Sequence, residues 1–516
     1  NGSGFVHRGV AMWTDGRRRV LFMNSRWRLI ALDAATGKVV REFGDSGVVD
    51  LVAGLSRSTN RLQYTQTSPP VVWGNLVIVG NGVADRLVYA GDPPGDVQAF
   101  DVRTGRRVWR WSGIPLSARS EGASTWEGES WRRVGHTNVW APFSVDAARG
   151  LLYLPVSTAS NDGYGGNRLG DNLFAESVVC LDVRTGRKVW HFQTVHHGLW
   201  DYDLPAPPVL ARVRGTGTGA ARDIVAVPTK TGFLFVFDRV TGTPIWPIEE
   251  RRVPASDVPG ERAAGTQPIP TRPRPFARQG FTEDDLIDFT PALRARAKEV
   301  ASQFRMGPLF TPPSLQGTIA MPGIIGGSTW GGGALDPRTG VIFVKSTNQP
   351  GLMKIARVAE RRGELDAGYT LDLAAAASLT LRFPDDSLPP LPINKPPYGT
   401  LTAIDLNTGD QLWQVPLGDT PDVREHPLLR GLDLPPLGVA GAPGAIVTAS
   451  GLLFASGGGT ALYALDTRDG RVLWSHDLGQ RAYAVPMTYV TTTGRQFVVI
   501  ASGGGDGSRI TAFALP

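Results

Sequence analysis

The chain has 516 residues, 19% of them charged, and a formal net charge of +6. The basic residues behind that charge are scattered rather than gathered into a block, which sets aside a nucleic-acid footprint. A single cysteine, Cys180, excludes an intramolecular disulfide, a cysteine-rich zinc site and a C-x-x-C-H haem attachment, so oxygen and nitrogen groups must hold any cofactor.

The chain opens Asn1-Gly2-Ser3-Gly4 without an initiating Met and carries no signal-peptide pattern, which reads as a processed or trimmed start. It holds no apolar run of about 18 residues. From residue 31 onward one unit recurs: ALDAATG (31–37), AFDVRTG (99–105), CLDVRTG (180–186), VFDRVTG (236–242), ALDPRTG (334–340), AIDLNTG (403–409) and ALDTRDG (464–470). Trp109, Trp190, Trp246, Trp413 and Trp474 each stand four residues after the glycine of their copy, and the other two copies carry Arg41 and Val344 there. The D-x-x-T-G stretch reads as a hairpin turn in which the Asp accepts backbone hydrogen bonds and the Gly supplies a positive φ. Alternating or apolar runs such as Leu151-Leu152-Tyr153-Leu154 and Phe497-Val498-Val499-Ile500 supply strands, and the Trp reads as packing between neighbouring units.

The spacing gives each copy enough chain for a four-stranded sheet, so the expectation is an all-β, single-domain β-propeller over residues 1–516, one blade per copy. Too little chain precedes the first copy for a full blade, so the first blade is expected to be incomplete. Two insertions interrupt the rhythm, at 250–315 with a short helix around Pro291–Phe304, and at 351–398, and both are expected to shape access to one mouth of the ring. The stretch Ile510–Leu515 is expected to be a closing strand.

The most informative segment is His196-His197-Gly198-Leu199-Trp200-Asp201-Tyr202-Asp203, followed by Lys230 in Pro-Thr-Lys-Thr-Gly. In a strand, Asp201 and Asp203 point the same way and reach one cation or cofactor; a turn with solvated carboxylates is the alternative. Trp140 offers a flat indole to an aromatic ligand, and Asp85 follows a strand that can turn its carboxylate inward; a core Trp and an exposed loop Asp are the plainer readings of each alone. His196 and His197 have no helical ligand spacing to another His, and strand neighbours face opposite ways, so a histidine-based metal site is set aside.

With these residues in place, the sequence resembles the PQQ-dependent quinoprotein dehydrogenases, especially the catalytic region of the membrane-bound glucose dehydrogenase branch. The resemblance spans nearly the whole chain and includes Arg8-Gly9-Val10-Ala11, Thr67-Ser68-Pro69-Pro70, Trp140-Ala141-Pro142, Leu199-Trp200-Asp201, Lys230-Thr231-Gly232, Phe310-Thr311-Pro312-Pro313-Ser314, Trp330-Gly331-Gly332 and Pro486-Met487-Thr488-Tyr489. It implies an eight-bladed propeller whose first strands lie upstream of Asn1 or were lost. It implies Asp201 as catalytic base, Lys230 as the cation beside the quinone carbonyls, and Trp140 beneath the pyrroloquinoline quinone (PQQ). Arg8, Thr67 and Asn348 are then contacts to the polar rim of PQQ, and Asp85 and Thr158 match metal-ligand positions.

Asp85 and Thr158 stand where the best-defined calcium sites of the family have Glu and Asn, which leaves calcium and magnesium both open. Asp203 matches an extra carboxylate of lanthanide-using relatives, and a lanthanide stays an option with Asp201 and Asp203 as added ligands. Gly505 replaces the histidine of the glucose enzymes, so glucose itself is not implied.

The resemblance implies oxidation of a sugar or alcohol hydroxyl in the periplasm, with electrons leaving to a quinone or cytochrome. Membrane association would come through a segment not in this chain. The rival reading is a non-catalytic propeller scaffold of the outer-membrane assembly type.

Overall fold

Each Asp of the repeat ends a strand and organises the turn after it. Asp101 Oδ1 accepts from the backbone N–H groups of Arg103 and Thr104 at 3.1 and 2.8 Å and from the Thr104 hydroxyl at 2.8 Å, and Gly105 follows at φ +69°. Asp33, Asp182 and Asp238 make the same pair of backbone bonds, so the sequence dictates this turn locally.

The computed structural model describes residues 8–83, 92–214, 221–358, 368–372, 375, 379–383 and 388–515. Seven antiparallel sheets of three or four strands succeed one another along the chain. The first holds Ala11–Thr14, Arg19–Ser25, Arg28–Asp33 and Val48–Asp50; the second Val71–Trp73, Leu76–Val79, Val97–Asp101 and Arg107–Trp111. The third holds Ser144–Asp146, Leu151–Pro155, Ser177–Asp182 and Lys188–Gln193; the fourth Val209–Arg214, Ala221–Pro228 and Leu234–Asp238. The fifth holds Gly333–Asp336, Val341–Thr347, Gly399–Asp405 and Asp410–Pro416; the sixth Ala445–Val447, Leu452–Ala455, Ala461–Asp466 and Val472–Asp477. The seventh holds Met487–Val490, Gln496–Ser502 and Arg509–Phe513.

The cores lie between successive sheets, because alternate residues of a strand face opposite neighbours. In Leu151–Pro155, Leu152 and Leu154 pack with Val97 and Ala99 of the second sheet, while Leu151 and Tyr153 pack with Val225 and Phe235 of the fourth. Both faces of these strands are therefore apolar.

The repeat tryptophans key one sheet to the next. The Trp109 indole N–H donates to Val183 O at 2.9 Å, Trp190 to Arg239 O at 3.2 Å and Trp413 to Thr467 O at 3.1 Å. Each acceptor is the residue after the Asp of the following sheet's turn. The rings lie against the turn glycines so closely that a Cβ at Gly186 would fall 2.6 Å from Trp109 and one at Gly242 2.5 Å from Trp190.

The expected eight-bladed β-propeller is not formed. Among the described residues no sheet closes on itself or curls into a barrel; they form an all-β domain of separate antiparallel sheets, seven of them with three or four strands. Among the described residues no core cluster joins the seventh sheet to the first, and Met12, Met487 and Ile510 on those end sheets are 55, 53 and 79% exposed.

Two features of the sequence misled the count. ALDPRTG turns between the first and second strands of the fifth sheet, while AIDLNTG turns between its third and fourth, so two copies share one sheet. The seventh sheet carries no copy at all. The first sheet is not incomplete either: residues 11–50 supply four paired strands.

The helix in the first insertion runs Pro291–Ala301, with the Thr290 hydroxyl accepting from Leu293 N at 3.2 Å and Pro at its first turn. Its Leu293 and Ala297 pack with Phe281, Leu381, Leu391 and Tyr398, so the two insertions share a core. None of the described residues of either insertion lines the cavity described below. No helix among the described residues is long and apolar enough to cross a membrane. Arg509–Phe513, which overlaps the expected closing strand Ile510–Leu515, pairs with Gln496–Ser502 and ends the last sheet.

Candidate active site

One cavity of about 380 Å³ gathers side chains from six sheets. Arg8, Thr67, Trp140, Asp201, Asp203, Trp330 and Ala442 lie on the segments that lead into the first strands of the first six sheets. Thr158 and Lys230 come from the loops between second and third strands of the third and fourth. Of the residues singled out from sequence, the cavity brings together Arg8, Thr67, Trp140, Thr158, Asp201, Asp203 and Lys230.

Lys230 is the electrostatic centre. Its Nζ lies 3.0 Å from Asp201 Oδ2 and 3.1 Å from Asp203 Oδ2, and donates to Asp201 O at 2.7 Å. Burial alone would lower the ammonium, but the two carboxylates outweigh it and hold Lys230 above the ordinary lysine value. Asp201 and Asp203 do not sit in a strand as expected; Asp201 is at φ +56° in an irregular segment, yet both still reach the same cation.

The two carboxylates are not equivalent. Asp203 also accepts from the Thr158 backbone N–H at 2.7 Å and the Trp140 indole N–H at 3.1 Å. Burial would raise it, but Lys230 and these donors hold it below the usual carboxylate range. The Asp201 side chain is the more accessible, 26% against 10%. Asp203 is thus a fixed anion, and Asp201 faces the open part of the cavity.

The Arg8 guanidinium lies 5.3 Å from the Trp140 ring and 4.9 Å from the Trp330 ring, and donates to Thr67 O at 3.0 Å. Its Nε is buried without a hydrogen-bond partner among the described residues, and burial pushes its pKa down to about 10. Thr67 Oγ1 donates to Trp140 O at 3.0 Å, tying that loop to the indole. A flat indole, a guanidinium with an open donor and the Lys230 ammonium fit a planar, aromatic polycarboxylate quinone such as PQQ.

A metal fits the described donors less well. Among the described residues no three carboxylate, histidine or thiol groups gather into a metal cluster. Thr158 Oγ1 is engaged with Glu176 Oε1 at 3.1 Å, and Asp203 with Lys230, Thr158 and Trp140. Asp85, an expected ligand, lies outside the described residues.

Asn348 does not reach the cavity: its Oδ1 accepts from Arg278 N at 3.1 Å and its Nδ2 donates to Pro397 O at 3.0 Å. His196 and His197 instead pair with Glu250 and Glu261, at 3.1 and 2.6 Å.

Residues that sequence reasoning passed over also line the cavity: His136, Asp162, Trp330, Ile324 and Ile325. Trp330 stood inside a recognised motif, while His136 and Asp162 flank Trp140 and Thr158 at four residues' distance, the only signal they gave. Glu176, beneath Thr158, had no sequence signal beyond a charge at the start of an apolar strand. Burial pushes Glu176 up to about 8, and burial followed by the nearby Asp203 pushes Asp162 up to about 7.

Residues 1–498 match the family model described as "Glucose/ethanol/alcohol dehydrogenase, beta-propeller domain", a PQQ family. The chain is 32% identical over 523 residues to the quinate/shikimate dehydrogenase (quinone) of Acinetobacter baylyi, covering 98% of this chain and 64% of that protein. It is 31% identical over 530 residues to the quinoprotein glucose dehydrogenase of Escherichia coli, covering 97% and 64%. Among solved structures, the quinohemoprotein alcohol dehydrogenase of Comamonas testosteroni superposes with a TM-score of 0.67 at 24% identity, over 99% of this chain and 66% of that one, which is a likeness of fold. The chain thus spans about 64% of the length of these curated relatives. Identity to the quinate and glucose enzymes is nearly equal, so the glucose branch expected from the sequence is not singled out.

Proposed function

We propose, given that the chain belongs to the PQQ-dependent quinoprotein dehydrogenase family, that this cavity binds PQQ and oxidises a hydroxyl of a sugar or alcohol. When bound, PQQ supplies the two-electron acceptor for the hydrogen on the hydroxyl-bearing carbon. Trp140 offers the face on which the cofactor lies, and Arg8 and Thr67 bind its polar rim. Lys230, its side chain 8% exposed, would supply positive charge to the quinone oxygens as they gain electron density. Asp201 takes the hydroxyl proton, and the product is an aldehyde, ketone or lactone. Asp203 holds Lys230, Trp140 and the Thr158 loop in register.

The observation that carries this reading is the single ammonium shared by two carboxylates of unequal accessibility in one cavity. Burying such a group costs several kcal/mol per ion before pairing. A scaffold that only docks partners gains nothing from it, which weighs against the non-catalytic alternative. Electrons then leave to a quinone or cytochrome acceptor, and the proposed setting is the periplasm, in solution or at the membrane.

The test is titration of the purified chain with PQQ by tryptophan fluorescence, followed by dye reduction with sugars, polyols and simple alcohols. Saturable binding and turnover that needs PQQ support the reading. Failure to bind PQQ refutes it.

A further inference from the structure

The first insertion stays out of the cavity wall, yet it grips from behind the segment that carries Asp201. Gln267 Oε1 accepts from the His196 N–H at 2.8 Å, and Gln267 Nε2 donates to His196 O at 2.7 Å. The Trp200 indole N–H donates to Thr311 O at 2.8 Å. Between these two attachments the His197 ring is buried and engaged at both nitrogens, with Gly170 O at 2.7 Å and Glu261 Oε1 at 2.6 Å. The other Glu261 oxygen accepts from the Gly165 N–H. Burial would raise the Glu261 carboxyl, but the His197 ring, the Gly165 N–H and the charge of Arg168 hold it below its ordinary value. Arg168, itself fully buried, donates to Gly198 O at 2.6 Å and to Asn161 O at 2.8 Å, which ties the same segment to the loop that follows Thr158.

The segment needs holding. His197 and Asp201 both take left-handed backbone conformations, φ +45° and +56°, which a residue with a Cβ keeps only where its surroundings enforce them. In that conformation Asp201 sets its carboxylate 3.0 Å from Lys230 while its own carbonyl accepts from the same ammonium at 2.7 Å. A chain free to relax at either residue carries the carboxylate away from that place. Neither His197 nor Glu261 lines the cavity, so they act on its contents only through the backbone of residues 197–201.

We propose that His197 and Glu261 are a positioning pair for the catalytic base: they hold residues 197–201 in the strained conformation that sets Asp201 against Lys230, and the first insertion serves the reaction by supplying Glu261. This rests on the reading of Asp201 as the base of a dehydrogenase site. A reacting group displaced by about 1 Å loses roughly 100-fold in rate, so the pair can matter to turnover without touching substrate or cofactor.

The experiment measures kcat, KM and PQQ affinity in wild type, Glu261→Ala, Glu261→Gln, His197→Ala and the double alanine variant, with whichever sugar, polyol or alcohol wild type turns over fastest in the dye assay. Glu261→Ala and His197→Ala should each lose roughly 10–100-fold in kcat, with KM and PQQ affinity held within a few-fold. The double variant should lose no more than either single one, because the two side chains act as a unit. Glu261→Gln keeps an acceptor for the ring and should recover most of the rate. Asp257→Asn, in the same insertion but paired with Arg305 at the surface, should leave kcat unchanged. In the protein without PQQ, amide exchange over residues 198–203 should quicken in Glu261→Ala and not in Asp257→Asn. Wild-type kcat in Glu261→Ala, losses that add in the double variant, equal losses in kcat and PQQ affinity, or unchanged exchange over residues 198–203 would each overturn the proposal. A wild type that binds no PQQ overturns the parent reading instead, and the exchange measurement then still decides whether the pair holds the segment.

Discussion

The Trp140 indole N–H donates to Asp203 Oδ2 at 3.1 Å, which makes the cofactor platform and the fixed anion of the site one hydrogen-bonded unit. Trp140→Phe keeps a flat face and deletes the donor. It should lower stability by about 1.5–3 kcal/mol through the lost bond to a charged acceptor while holding PQQ affinity within a few-fold. Trp140→Ala should lose PQQ affinity by tenfold or more. Urea unfolding and fluorescence titration separate the two effects.

Asp201 and Asp203 should respond differently to the same substitution. Asp201→Asn should lower kcat by roughly 100–10,000-fold, the usual contribution of a positioned base, with PQQ binding kept. Asp203→Asn should act first on stability. Its carboxyl is held below the unfolded value, so its contribution is present above that value, near 4, and is lost as pH falls through the folded one. Thermal melts from pH 2 to 6 should therefore show a flatter acid limb in Asp203→Asn.

Glu176 has the opposite sign. Its carboxyl is raised to about 8 by burial, so the folded protein keeps a proton there that the unfolded chain has released. Stability should fall as pH rises from about 4.5 toward 8. Glu176→Gln should raise Tm at pH 8.5 and leave it nearly unchanged at pH 5. An equal shift at both pH values would show that packing rather than ionisation governs the site.

The tryptophan keys should be expensive to break. Trp190 is 7% exposed in the core between the third and fourth sheets, and Trp190→Ala should cost about 3–5 kcal/mol in urea unfolding. Gly242→Ala places a methyl 2.5 Å from the same ring at φ +74°, and should destabilise by at least 1 kcal/mol without touching the cavity.

Much of this was legible in the sequence because the D-x-x-T-G turn is a local device: Asp, Thr and Gly within five residues specify the bend wherever they occur. For the same reason the turn does not say which strands it joins. ALDPRTG and AIDLNTG look alike, yet one joins the first and second strands of the fifth sheet and the other its third and fourth, because strand order is set by long-range pairing of Val341–Thr347 with Gly399–Asp405 across the second insertion.

The site divides along the same line. Asp201, Asp203 and Lys230 were readable because charges stand out in apolar surroundings, and the structure brings both carboxylates within 3.0–3.1 Å of the Lys230 ammonium. His136 and Glu176 were not, since only folding tells a buried polar group from a solvated one. Asn348 carried the right amide in the right motif, but the Arg278 and Pro397 backbones already occupy it.

The indole keys run in one direction: among the described residues, the turn after the third strand of the third, fourth and sixth sheets accepts from the tryptophan of the sheet before it. Damage at one key should thus be felt downstream. Truncating Trp109 should speed amide exchange around Val183 and Gly186 before it does so around Gly105, and truncating Trp413 should do the same at Thr467 and Gly470. The molecule is a queue in which each member holds the shoulder of the next, and local loosening should report which hand let go.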